Sequence, residues 1–178
     1  MMIAPMPEIS RILVPVDFSD CSDAALEYAL FLAAELGASI DLLHAWHPPH
    51  DSSPFLGQLA IADPRDGRHK TLAEFVEEQA RDALARVVGH LQGRGVEVRE
   101  SLLVGGTPKR AIVEAATRGE YHLVIMGTHG RTGLAHVLMG SVAEWVLRHS
   151  AVPVLTVRAT ARANGAGSAG EDGASGGS

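Results

Sequence analysis

Apolar residues along the chain follow two rhythms, short runs and helical stripes, and their alternation predicts the architecture. Arg11 to Val16 (RILVPV) is a short apolar run rich in β-branched residues that stops at the polar turn Asp17-Phe18-Ser19, which carries N-cap candidates. A buried strand feeding a helix is expected. From Asp20 to Leu36, Leu26, Ala29, Leu30 and Ala33 recur at helical spacing, and Gly37 stands where a left-handed C-terminal cap is needed. Ser39 to Trp46 reads as a second strand. Residues 47–69 lose all periodicity among prolines, Asp, Ser and Gly, and no element is assigned there beyond a connection or lid. The nearly unbroken stripe Leu72, Phe75, Val76, Gln79, Ala80, Ala83, Leu84, Val87, Val88 and Leu91 predicts the clearest helix, ended by Gly93 and Gly95. Val96 to Val104 reads as a third strand. Thr107 and Pro108 open a helix over Lys109 to Thr117 as N-cap and first helical residue. Strand Tyr121 to Met126, helix Gly140 to His149 and strand Val152 to Val157 complete the series.

Strand and helix thus alternate five times, which predicts an α/β fold: a parallel sheet covered on both faces by helices. At 178 residues, 46% hydrophobic and 20% charged, the chain is of a size for one compact domain. That domain is expected over residues 9–158. Residues 159–178 are dominated by Ala, Gly and Ser, too poor in apolar surface to offset ordering entropy, and are expected to form a disordered tail.

The formal net charge of -6 leaves no overall positive field for nucleic acid or an anionic membrane, so any phosphate binding must be local. Cys21 is the single cysteine, which excludes an internal disulfide and fits a reducing, cytoplasmic compartment. The N-terminus lacks the basic start and unbroken apolar run of a signal peptide, and no segment reaches the roughly 20 apolar residues of a membrane span.

Two strand ends carry candidate chemistry. In open α/β sheets ligands sit beyond the carboxyl ends of the strands, where the strand order reverses. Asp17 leaves the first strand and suits a ribose or other hydroxyl, although taken alone it reads first as a cap of the next helix. The second end is Met126-Gly127-Thr128-His129-Gly130-Arg131, with Gly140-Ser141-Val142 opening the next helix. Gly127 and Gly130 let the backbone approach a ligand and aim N–H groups into a nest, and the helix start at Gly140 suits phosphate, with the Ser141 hydroxyl as an added donor. Each residue singly also reads as an ordinary turn glycine or cap. Three glycines and a serine on one strand-loop-helix connection shift the balance to a ligand.

The spacing G-x2-G-x9-G-[ST], here Gly127, Gly130, Gly140 and Ser141, resembles the nucleotide signature of the ATP-binding branch of the universal stress proteins. The similarity runs through RILVPVDFS, IDLLHAW, GGTPKRAIVEAA and VPVLTV, from about Ile9 to Arg158. The resemblance implies a Rossmann-like, adenine nucleotide alpha hydrolase-like sheet of five parallel strands in the order 3-2-1-4-5. It implies ATP, or ADP or AMP, across the ends of the first and fourth strands, with Mg or Mn at the phosphates. Asp17 would hold the ribose or sit near the adenine, and Pro15, Val16 and Ala45 would line the base pocket. Met126 and Gly127 would contact the nucleotide, while Gly130, Gly140, Ser141 and Val142 would surround the phosphates. Arg131, with His129, is a minor candidate for neutralising phosphate charge. The resemblance also implies a homodimer through the last strand, Val152 to Val157. The function so implied is a nucleotide-dependent stress-response regulator acting on a protein partner that the sequence does not name. A slow Mg-dependent ATP hydrolase and a nucleotide-independent scaffold or chaperone-like dimer are the alternatives.

Other signals are set aside. His44, His47 and His50 recur at an interval of three where a strand runs into prolines, which does not build one metal-binding face. No Walker A sequence, G-x-S-x-G elbow or kinase set occurs, and no residue is assigned a catalytic or metal-ligating role. Cys21 and Met126 are expected to pack in the core. Trp145 shares a helical face with Val142, Val146 and His149 and is also expected there.

Overall fold

The computed structural model describes residues 8–47, 55–65, 67–129 and 139–159. Its elements are β1 (Arg11–Pro15), α1 (Asp20–Leu36), β2 (Ser39–Trp46), β3 (Ala60–Ala62), β4 (His69–Thr71), α2 (Leu72–Leu91), β5 (Val98–Gly105), α3 (Pro108–Arg118), β6 (Leu123–Gly127), α4 (Ser141–His149) and β7 (Val154–Val157). Five strands form one sheet in the order β5-β2-β1-β6-β7, every neighbouring pair parallel. Counting only these five along the chain, the order is 3-2-1-4-5. Residues 160–178, expected to form a disordered tail, lie outside the described residues.

The sheet is buried on both faces because its central strands carry apolar side chains in both directions. Ile12 and Val14 of β1, Ile40 and Leu42 of β2, and Leu123 and Ile125 of β6 pack with Ala25, Ala29, Leu30 and Ala33 of α1 and Leu84 and Leu91 of α2. The alternate residues Leu13, Leu43, Val124 and Met126 pack with Ala111, Ile112 and Ala116 of α3 and Ala143 and Val146 of α4. Ile12, Leu13, Val14, Ile40, Leu42, Val124 and Ile125 are fully buried, each contributing about 1.5–3 kcal/mol. At the amino ends of β1 and β2, the fully buried Asp41 is held by Arg11, whose Nε donates to Oδ2 at 2.6 Å, and the Arg11 guanidinium also covers the Tyr121 ring.

Helices α1 and α2 match the sequence reading residue for residue, and Gly37 adopts the left-handed cap at φ 67°. Several strand starts move inward. Chain turns at Gly93 and Gly95, both at positive φ, delay β5 to Val98. Tyr121, expected to open β6, instead buries its ring before the strand begins at Leu123. Val152 is held in a turn by the Ser150 hydroxyl, so β7 starts at Val154. Gly140 is the N-cap of α4 and not its first residue.

The connection left unassigned contains a hairpin. β3 and β4 pair antiparallel, Ala60 with Thr71 and Ala62 with His69, around a turn in which Asp63 exchanges backbone bonds with Gly67 and Arg68. Asp63 is 1% exposed and is gripped by Arg65 and Lys70, which also reach Glu78 of α2. Arg65 further holds Asp82 at 2.8 Å. Among the described residues, no helix is long and apolar enough to cross a membrane.

Candidate functional site

The chain leaves β1 through α1 toward β2 on one side and leaves β6 through α4 toward β7 on the other. The carboxyl ends of the adjacent strands β1 and β6 therefore diverge, which creates a crevice at the point where the strand order reverses. A cavity of about 180 Å³ opens there. Pro15, Val16 and Asp17 line it from β1, Leu43 and Ala45 from β2, and Met126 and Gly127 from β6. Thr128 and His129 extend that wall, Pro108 and Ile112 of α3 close one side, and Gly140, Ser141, Val142 and Ala143 bring the start of α4 to the other. Ten of the sequence candidates, counting the minor candidate His129, thus share one cavity. Gly130 and Arg131 lie outside the described residues.

Of the two described glycines of the motif, Gly127 is required by close backbone approach, and Gly140 packs closely enough that a side chain there needs a small shift. A Cβ on Gly127 would stand 2.8 Å from the Cys21 carbonyl carbon and 2.9 Å from its oxygen, so the start of α1 packs directly on the end of β6. A Cβ on Gly140 would meet the Thr128 carbonyl oxygen at 3.1 Å, the same oxygen that accepts the Gly140 N–H at 2.8 Å. That bond ties α4 to the end of β6, and Thr128 N–H in turn donates to Val157.

The four helix starts fall into two kinds. Ser19 caps α1 and Thr71 caps α2, each in a reciprocal capping box with Ser22 and Glu74. Thr107 of α3 and Gly140 of α4 make no side-chain cap bond. In α4 the first intrahelical bond runs from Glu144 to the Gly140 carbonyl at 3.0 Å, so the N–H groups of Ser141, Val142 and Ala143 precede the ladder. All three residues line the cavity, and Gly140 has no side chain with which to cover them. The starts of both uncapped helices border the same space, where the partial positive charge of helix N-termini favours an anion.

On the opposite wall, Asp17 is not the cap of α1. Its Oδ1 accepts from Ser19 N–H at 3.2 Å and from Ser19 Oγ at 2.6 Å, bracing the cap residue while its carboxylate borders the cavity. Between them Phe18 adopts φ 63°, a left-handed conformation uncommon for a bulky residue, with its ring 4.4 Å from His44. His44 Nδ1 donates to the Val16 carbonyl at 2.7 Å, which fixes the turn and leaves this histidine a structural role. Among the described residues no group of three His, Cys, Asp or Glu side chains could hold a metal ion, and His50 lies outside them.

Sequence reasoning did not single out Thr128, Pro108, Ile112, Leu43, Ser22 or Ala143 as lining residues. Thr128 is adjacent to Gly127 and was within reach of the motif, whereas Pro108 and Ile112 join the site only because the sheet order folds α3 beside α4. Met126 is buried as expected and also faces the cavity. Trp145 departs from expectation: it is 37% exposed, stacked on His149 at 3.9 Å and covered by Lys109, while Val146 beside it takes the core position.

Comparison with known proteins bears on this arrangement. The model of the universal stress protein family matches residues 8–158. Universal stress protein MJ0531 of Methanocaldococcus jannaschii is 34% identical over 148 residues, covering 83% of this chain and 81% of that protein. The solved structure of MJ0577 from the same organism superposes with a TM-score of 0.68 at 27% identity, over 85% of this chain and 97% of that one. The universal stress protein of Archaeoglobus fulgidus, solved in complex with dAMP, shares the fold at a TM-score of 0.56 and 24% identity, over 85% of this chain and 99% of that one. With the family match spanning every element of the sheet and the helices that cover it, the chain belongs to the universal stress protein family.

Proposed function

We propose that the cavity between the ends of β1 and β6 binds an adenine nucleotide, ATP or its ADP and AMP relatives, and that occupancy regulates the protein's interaction with a partner. The observation that carries this reading is the start of α4. The first three residues of that helix border a cavity lined by the apolar Pro15, Val16, Leu43, Ala45, Ile112 and Met126, with the polar Ser22, Thr128 and His129 and one carboxylate, Asp17, on its other walls. A nucleotide supplies the matching sequence of chemistries: a flat apolar base, a ribose with hydroxyl donors, and a phosphate.

In this reading Val16, Ala45 and Met126 flank the base with Pro15 beneath it, Asp17 accepts from the ribose, and Gly127 borders the sugar. Gly140, Ser141 and Val142 receive the phosphates, joined by Gly130 and Arg131 of the connecting loop. Mg or Mn would accompany the phosphates. The dAMP bound by the Archaeoglobus fulgidus protein is an adenine nucleotide held by a protein of this fold. Pairing of two copies along the edge of β7, which among the described residues is the terminal strand of the sheet, gives a homodimer through which occupancy is transmitted.

The regulatory mechanism is linkage: a ligand that prefers one conformation stabilises it by its differential affinity. The test is a thermal-shift series with ATP, ADP, AMP, cAMP and GTP, with and without Mg. Adenine nucleotides at 100 times their Kd should stabilise the fold by about 2.7 kcal/mol. If no nucleotide moves the melting temperature, the nucleotide-independent scaffold reading takes its place.

A further inference from the structure

Lys109 occupies a position that its own helix disfavours. Three of the four helices carry an acid in the first turn, Asp20 and Asp23 in α1, Glu74 in α2 and Glu144 in α4, as the helix dipole requires. The first turn of α3 carries none and begins Pro108-Lys109-Arg110, placing cations at the positive end of an uncapped helix. Elsewhere Arg65, Lys70, Arg94 and Arg148 grip carboxylates. Lys109 has no carboxylate partner among the described residues, and its ammonium lies 4.8 Å from the centroid of the Trp145 ring.

The contact joins the two helices whose starts border the cavity. Pro108, adjacent to Lys109, lines the cavity, and Trp145 lies one helical turn beyond Ser141, which lines it from α4. A flexible four-carbon stem can swing from an indole face to an anion nearby, and an ammonium exchanges partners readily because it binds as a point charge.

We propose that Lys109 is a specificity-determining residue for the number of phosphates. It leaves Trp145 to pair with the terminal phosphates of a nucleoside di- or triphosphate, so the site favours polyphosphates over the nucleoside. The proposal rests on the adenine-nucleotide reading, and the two can fail separately.

The test is calorimetric titration of the full chain with ATP and with adenosine, on wild type, Lys109→Gln and Lys109→Arg. Lys109→Gln is expected to raise the Kd for ATP about tenfold, the scale of one charge-assisted hydrogen bond, and to leave adenosine within about twofold. Lys109→Arg, which keeps the charge, should hold ATP near the wild-type value. A purely structural role would move both ligands together. Equal weakening of ATP and adenosine, or no change in either, overturns the role of Lys109 while leaving nucleotide binding in place. Wild-type protein that binds neither overturns the adenine reading and this proposal with it.

Discussion

The beginnings of α2 and α4 are built on opposite electrostatic plans. At α2 the Thr71 hydroxyl accepts from Glu74 N–H and the Glu74 carboxylate accepts from Thr71 N–H at 2.8 Å, while Glu78, one turn on, joins Lys70, Arg65 and the buried Asp63. Every donor there has an acceptor within the protein. At α4 a glycine stands where the cap would be, and the first N–H groups face a cavity. The difference teaches what each start is for. A satisfied helix start fastens a hairpin to the domain, and the start without a side-chain cap is, in the nucleotide reading, where the phosphates are received.

The largest effect that would break this comparison is expected at the hinge between the site and the core. Gly127→Ala forces a Cβ against the Cys21 backbone, which has no flexible end to yield, and should cost about 1–3 kcal/mol in urea unfolding. Because α1 must then shift from the end of β6, nucleotide affinity should fall with stability. Next in size is Thr71→Ala, which removes the cap of α2 and should cost about 1 kcal/mol while leaving affinity unchanged.

Acid sharpens the contrast further. Hydrogen bonds from Arg65 and Lys70 hold the Asp63 carboxyl far below its ordinary value, the Thr71 N–H lowers Glu74, and Lys70 lowers Glu78. Lowered carboxyl values mean stabilisation that is fully present above the ordinary values of 3.8 and 4.5 and is lost as pH falls through the folded ones. Lys70 is raised above 10.5 by Asp63 and Glu78, so its contribution is present below that value and lost as pH rises beyond it. Hydrogen exchange at residues 60–71 should therefore accelerate below about pH 4 relative to the sheet, and Asp63→Asn should produce the same acceleration at neutral pH. The reverse pattern, protection unchanged in Asp63→Asn, would mean that the hairpin is fastened by its backbone alone.

How much of this was legible in the sequence divides along the same line. The periodic elements were, because apolar runs and stripes report burial on the two faces of the sheet directly. Asp17, Gly127, Gly140 and Ser141 were, because a strand end followed by glycines and a helix start is a local pattern. The hairpin was not: its strands are three residues each, set among prolines and charged residues, and the ion pairs that tie it to α2 join Lys70 to Glu78 and Arg65 to Asp82, well beyond any local pattern. Trp145 was misplaced because periodicity groups it with Val146 without saying which side of the group meets the sheet. Lys109 decides that, by covering the ring from α3. Pro108 and Ile112 were missed as site residues because only the packing of α3 against α4 brings them to the cavity.

The measurement that tests the central claim most directly is calorimetric titration of ATP into wild type and Gly140→Asp. Gly140 has an extended backbone, φ -75° and ψ 152°, which Asp adopts readily, and the new Cβ meets the Thr128 oxygen at 3.1 Å, a contact that a few tenths of an ångström relieve. Asp at this position caps α4 as Thr71 caps α2, so folding stability should change by only a few tenths of a kcal/mol. The account predicts that wild type binds ATP and that Gly140→Asp weakens it at least about tenfold, because the carboxylate takes the N–H groups and repels phosphate. Unchanged ATP affinity in a stably folded Gly140→Asp would contradict it.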